Sequence, residues 1–261
     1  MAVDKSEKRI REMFGEISPR YDFLNHFLSA GTDIYWRWRA VRTVPLQEDV
    51  PILDVCSGTG DLAIAYWKRG RNRIPVVGSD FAHDMLRIAN DKSARVRQKK
   101  PDDAAPINFL EADTQRLPFA DEMFQLVSVA FGLRNVTNTE AGLHEMIRVC
   151  RPGGHVLVLE FTMPTNWLLG RLYRFYFRHI LPRIGQLLAR NSQSAYNYLP
   201  ESVTQFPQGN ALTSIMVNCG LDEVRWKSLT FGVAAIYVGR KPNQPTSNPP
   251  LQQSAAANVA D

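Results

Sequence analysis

The spacing of hydrophobic positions changes near Pro51. Before it, "DKSEKRIREMF" sets Ile10, Met13 and Phe14 among charges at helical spacing, and "DIYWRWRAVRTV" predicts a second, basic and aromatic helix. The intervening "GEISPRYDFLNHFLSAGTD" is rich in turn formers and reads as a loop, although Tyr21, Phe23 and Phe27 imply that it packs onto something. From Ile52 onward, short apolar runs alternate with amphipathic ones. "PILDV", "IPVVGSD", "INFLEAD", "FQLVSVAFGL" and "HVLVLEFT" predict strands; "DLAIAYWKRG", "HDMLRIANDKSARVRQKK" and "TEAGLHEMIRVC" predict helices, the last stopped by "RPGG". "FQLVSVAFGL" is nearly all apolar, as a strand buried on both faces should be. "LDEVRWKSLT" and "VAAIYVGRK" read as a closing antiparallel pair. Such alternation predicts an α/β fold with a mainly parallel sheet covered on both faces.

The predicted organisation is a helical cap over 1–50, a main domain over 51–242 with an insertion near 164–207, and a Pro, Gln, Ser and Ala-rich tail over 243–261 expected to be disordered. Composition adds little: 44% hydrophobic and 22% charged residues suit an ordinary globular protein, and a net charge of +5 permits an anionic partner without requiring one. Cys56, Cys150 and Cys219 match neither a disulfide framework nor a metal-ligand spacing, so a reducing, cytoplasmic compartment is the default. The five histidines are scattered and no metal is expected. No apolar run approaches the roughly 20 residues that span a bilayer, and the charged N-terminus lacks a signal-peptide core. The expectation is a soluble protein, or one resting on a membrane surface.

Ligands of such sheets bind beyond the carboxyl ends of the strands, and those ends are acidic here. Asp54 precedes the turn Gly58-Thr59-Gly60, in which glycine lets the backbone approach a ligand closely. Asp80, followed by Phe81, ends the second strand, where a carboxylate can accept both hydroxyls of a ribose. Asp113 and Thr114 follow the third strand and could read the amine of an adenine. Carboxylates beside the turn, Asp54 and Asp61 among them, disfavour a pyrophosphate and favour a cationic nucleoside such as S-adenosylmethionine. A nicotinamide dinucleotide is the competing reading, and it lacks its glycine fingerprint. His83 and Asp84 read as caps of the helix after the second strand, and Cys56 and His155 as structural.

Five stretches carry a family resemblance: "FGEISPRYDFLN", "LDVCSGTGDLA", "FGLRNVTN", "RVCRPGGHVLVLEFTMP" and "SAYNYLPESVTQFP". Together, from about Val3 to Lys241, they resemble the C-methyltransferases of ubiquinone, menaquinone and phylloquinone biosynthesis, and "CSGTGD" is most similar to the phylloquinone branch. Ala130 stands where many relatives have serine. The resemblance implies a Rossmann-like class I methyltransferase that takes S-adenosylmethionine to S-adenosylhomocysteine. Its acceptor would be a prenylated quinol, 2-phytyl-1,4-naphthoquinol first and demethylmenaquinol or a benzoquinol next, with a quinone reductase upstream. By motif, Asp54, Gly58, Thr59, Gly60, Asp80, Phe81, Asp113 and Thr114 would meet the cofactor. Methylating a ring carbon requires an aryloxide to be stabilised, for which Arg134 is the candidate; an arginine is not itself a free base. Tyr21, Asn25, Asn135, Tyr196 and Tyr198 are candidates for the quinol pocket. Rivals are a methyltransferase acting on another small molecule or RNA, and a cofactor-binding subunit without catalysis.

The stretch Asn166–Arg190 has five arginines and no acid, with Leu169, Leu172, Tyr173, Tyr176, Phe177 and Ile180 at helical spacing. It reads as a lid helix, a helix meeting anionic lipid, or a nucleic-acid patch. Nucleic acid is not among the expected partners.

Overall fold

The computed structural model describes residues 6–18, 21–100, 103–164, 166–176, 183 and 195–243. Three helices come first: α1 (Glu7–Ile17), α2 (Tyr21–Leu28) and α3 (Thr32–Ala40). The expected loop between α1 and α3 thus holds a helix. Its turn formers punctuate the helix ends, while Leu24 is buried and Asp22 and His26 fall at the ends that the helix dipole favours.

The sheet then builds through β1 (Ile52–Val55), α4 (Asp61–Arg69), β2 (Val76–Asp80), α5 (His83–Arg97), β3 (Ile107–Glu111), β4 (Phe124–Ala130), α6 (Thr139–Val149) and β5 (Cys150–Phe161). After α7 (Trp167–Phe175), α8 (Ala195–Gln205) and α9 (Asn210–Asn218), the chain closes with β6 (Asp222–Leu229) and β7 (Ala234–Arg240). The strand order is β3-β2-β1-β4-β5-β7-β6. β1 to β5 pair in parallel, whereas β7 lies antiparallel between β5 and β6. The order reverses between β1 and β4, which puts the crevice for a ligand at their carboxyl ends.

Both faces of the sheet are covered. Leu143, Met146, Leu212 and Met216 pack with Val127, Val156 and Tyr237 on one side; Trp36 and Trp67 pack with Leu126, Leu157 and Ile236 on the other. Three local expectations change. Phe131 has φ +57°, which ends β4 at Ala130 and starts the 3-10 turn Leu133–Asn135. β5 begins at Cys150, with "RPGG" inside it, and absorbs the irregularity by a register shift against β4. Ala82 occupies the N-cap position of α5 without a side-chain cap, so His83 and Asp84 are first-turn residues. Most of Asn166–Arg190 and the tail beyond Asn243 lie outside the described residues.

Candidate active site

A cavity of about 270 Å³ opens at the carboxyl ends of β1, β2, β3 and β4. Gly58, Asp80, Phe81, Asp113 and Thr114 line it. Gly58 has φ +53°, and no atom lies within 4 Å of where a Cβ would stand. Asp80 Oδ2 accepts the Gly58 N–H and its Oδ1 the Ala82 N–H, both at 2.8 Å. Burial nevertheless raises its pKa, outweighing those backbone bonds. Asp113 Oδ1 accepts the Gln115 N–H at 2.9 Å, which fixes the turn after β3. Glu111 adds a third carboxylate to the wall and pairs with Arg11 at 2.8 Å.

Cys56, expected to be structural only, also lines this cavity. It has φ +49°, and its Sγ lies 3.2 Å from Thr114 Oγ1. Burial pushes its thiol pKa up, so it is no thiolate nucleophile. A Cβ at Gly132 would lie 2.3 Å from the Cys56 Cβ, so the glycine of "FGLRN" makes room for that residue.

Asp54, Thr59 and Gly60 do not line the cavity. Asp54 is buried beneath it, accepting from Ser128 Oγ at 2.8 Å while Oδ2 has no partner. Burial pushes its pKa up to about 7. Thr59 is turned away and donates to Asp22 Oδ1 at 2.5 Å; Lys92 Nζ reaches the same Asp22 at 2.8 Å and Thr59 Oγ1 at 3.2 Å. Gly60 packs under Phe109, where a Cβ would meet the ring at 2.7 Å. Asp61, expected beside a cationic ligand, instead pairs with Lys92 and with Arg37, the latter at 3.2 Å. Thr59 and Asp61 thus tie the glycine loop to α2, α3 and α5.

A second cavity, of about 290 Å³, adjoins the first and shares Phe14, Tyr21 and Phe131 with it. α1, α2, α3, α7 and α8 supply most of its wall. Arg134 faces it, buried, with Nη1 2.6 Å from Glu160 Oε1. The same nitrogen donates to the Phe131 carbonyl, and the guanidinium lies 5.2 Å from the Phe161 ring centroid. Arg134 Nε is buried without a hydrogen-bond partner. The ion-pair partner of Arg134 is thus an interior carboxylate. Glu160 was missed; its signal was a lone acid in the otherwise apolar run "VLVLEF".

Tyr21 and Asn25 also line the second cavity, and burial raises the Tyr21 pKa above its usual value. Tyr198 lines it as well, and its hydroxyl donates to Asn135 Oδ1, on the wall of the first cavity, at 3.1 Å. The Tyr196 side chain lies outside the described residues. Asp33, unforeseen, sits in this wall with His26 Nδ1 at 2.7 Å and Ser29 Oγ at 2.7 Å, and also bonds Arg37. Burial acts to raise its pKa, yet Arg37, Ser29 and His26 together hold it below the usual value.

The ubiE/COQ5 methyltransferase family profile matches residues 1–241. The chain belongs to that family. The demethylmenaquinone methyltransferase of Thermus thermophilus is 46% identical over 230 residues, covering 88% of this chain and 100% of that protein. The ubiquinone/menaquinone biosynthesis C-methyltransferase UbiE of Geobacter sulfurreducens is 41% identical, covering 92% and 90%. Among solved structures, the [4+2]-cyclase SpnF superimposes with a TM-score of 0.61 at 16% identity, covering 93% of this chain and 98% of that one. A Haemonchus contortus phosphoethanolamine N-methyltransferase in complex with S-adenosyl-L-methionine gives 0.55 at 15% identity, covering 80% and 52%. Those two likenesses speak to the fold alone. As a member of the ubiE/COQ5 family with the class I fold, the chain is an S-adenosylmethionine-dependent methyltransferase.

Proposed function

We propose that the enzyme methylates a ring carbon of a prenylated naphthoquinol, with 2-phytyl-1,4-naphthoquinol as the leading acceptor and phylloquinol as its product. The observation that carries this reading is the second cavity: largely apolar walls, with the buried Arg134 beside the wall shared with the first. The phytyl tail is supported by the resemblance of "CSGTGD". Demethylmenaquinol is the second reading, favoured by the names of the relatives from Thermus thermophilus and Deinococcus radiodurans, both demethylmenaquinone methyltransferases.

The first cavity suits S-adenosylmethionine chemically. Its acidic wall complements a sulfonium and an ammonium, Gly58 leaves its backbone open to a ligand, and both Asp80 oxygens keep acceptor capacity for ribose hydroxyls. Asp113 and Thr114 would meet the adenine, with Phe81 and Cys56 beside them. When bound, the cofactor supplies an electrophilic methyl group. The protein's own task is to hold the acceptor carbon in line and to favour the aryloxide. Arg134, held by Glu160, keeps an unpartnered Nε–H for the ring oxygen as its hydroxyl proton leaves. Tyr21, in both walls, and Asn25 would orient the ring. Once the new C–C bond has formed, that ring carbon sheds its hydrogen and the hydroxyl is restored, releasing one proton in all.

In this reading residues 1–50 form a cap and 164–207 a lid over the domain of 51–242. The acceptor is a reduced quinone, so a quinone reductase must act first, and a prenyl tail ties the reaction to a membrane-held pool. The test supplies labelled S-adenosylmethionine with reduced naphthoquinols and benzoquinols bearing phytyl and polyprenyl tails. Label on the naphthoquinol ring carbon, fastest with phytyl, is expected; label on no ring would refute the assignment.

A further inference from the structure

The outer face of the α2–α3 hairpin carries large apolar side chains. Phe23, Phe27, Ile34, Tyr35 and Trp38 are each 43–59% exposed, five of the eleven such side chains among the described residues. Helical spacing groups them. Phe23 and Phe27 stack with centroids 5.8 Å apart, and Tyr35 stacks on Trp38 at 6.1 Å. Apolar clusters of this kind on a surface mark contact with a partner or a membrane.

Beside Ile34 and Trp38 runs an open groove of about 640 Å³. The exposed cations Arg42, Lys68, Arg69 and Arg95 line it. Its one carboxylate, Asp61, is occupied by Lys92 and Arg37. Arg42 stands over the Trp38 ring, 4.3 Å from its centroid. The inner face of the same hairpin, with Leu28, Thr32 and Trp36, lines the second cavity. The Tyr176 hydroxyl, just past α7, donates to the Leu28 carbonyl at 2.8 Å, and α7 adds exposed Trp167 and Phe175.

We propose that the α2–α3 hairpin docks the enzyme on an anionic bilayer: the aromatic ridge enters the boundary between headgroups and acyl chains, and the cationic groove faces the headgroups. The sequence reading offered lipid contact as one role of Asn166–Arg190, most of which lies outside the described residues; the proposed docking surface is the hairpin, flanked by α4 and α5. A tail would then pass from lipid to the second cavity across one hairpin. That corollary rests on the quinol reading, whereas the docking does not. A single-stranded nucleic acid would accept the same cations, but the two phenylalanines stack on each other rather than offering free faces to bases, and Ile34 has no ring to stack.

Flotation with vesicles of equal phosphatidylglycerol and phosphatidylcholine, without quinol or methyl donor, tests this. The wild type is expected to float with these vesicles, far less with pure phosphatidylcholine, and to detach in about 1 M salt, where charges are screened within a few ångströms. Phe27→Ser/Trp38→Ser should lower partitioning about tenfold or more, and so should Lys68→Glu/Arg69→Glu/Arg95→Glu. Both variants should keep the wild-type melting temperature and S-adenosylhomocysteine affinity, which shows that they fold. A wild type that stays unbound, or variants that float as it does, would overturn the proposal. So would single-stranded RNA binding or self-association abolished by the same substitutions without any vesicle binding. Expected flotation with no methylated quinol would leave the docking standing and remove the acceptor.

Discussion

The first cavity takes its walls chiefly from strand ends and the turns that follow them. The second takes most of its wall from α1, α2, α3, α7 and α8, with Phe131 and Arg134 reaching in from the turn after β4 and Phe161 from the end of β5. In the first, carboxylates and the turn at Gly58 line the wall, and they stand at the ends of the parallel ladder of β1, β2 and β3, with Asp80 accepting the Gly58 N–H. In the second, side chains from distant parts of the chain meet around Arg134. A sheet built this way can keep the wall of the first cavity while the helices that wall the second are changed. Structures only 15–16% identical retain the sheet fold.

That contrast can be broken in order of expected effect. The largest lies beneath the first cavity. Asp54 has its folded pKa raised to about 7 from 3.8, so between those values the folded state holds more protons than the unfolded chain. Stability is therefore fully present at low pH and is lost as pH rises through this window, by about 4 kcal/mol at most. Asp54→Asn should flatten that loss, read as the change in denaturant midpoint between pH 5 and pH 8. An unchanged slope would show that Asp54 is ionised in the fold.

Next, Asp80→Asn should weaken S-adenosylhomocysteine binding by roughly 10- to 100-fold, as expected for a charge-assisted hydrogen bond, with little change in the KM of the acceptor. Calorimetry and steady-state kinetics would check the division. Smallest is Thr59→Ala. The motif resemblance makes Thr59 a cofactor contact, whereas its hydroxyl is spent on Asp22 and Lys92. Its cofactor affinity should fall less than about 3-fold, within the range of one modest hydrogen bond. A loss as large as that of Asp80→Asn would mean that the loop turns its threonine toward the ligand.

The same division explains what sequence could disclose. The strand ends were legible because period, glycine and acid fall within a few residues of one another, as at Asp80 and Phe81. In the second cavity Tyr21, Asn25, Arg134 and Tyr198 were reached only through the family motifs, and Glu160 was not reached, because the contacts that hold these walls join residues far apart: Arg134 to Glu160, Tyr198 to Asn135. α2 was hidden by its flanks, since Ser18 and Gly31 punctuate a short helix as readily as a loop. The place of Cys56 in the first cavity's wall was not legible either, since its left-handed backbone and the room that Gly132 leaves for it come from two separate strand ends.

The central claim is that Arg134 serves the acceptor and not the donor. Arg134→Lys tests it most directly, since lysine keeps the charge against Glu160 but cannot span the same partners in a fork. The measurement is kcat alongside S-adenosylhomocysteine affinity on the same preparation. The account predicts that kcat falls by about 100- to 1,000-fold, the usual loss when one oxyanion donor is removed, while affinity stays within about 3-fold of wild type. Near-normal turnover, or a parallel loss of affinity, would contradict it.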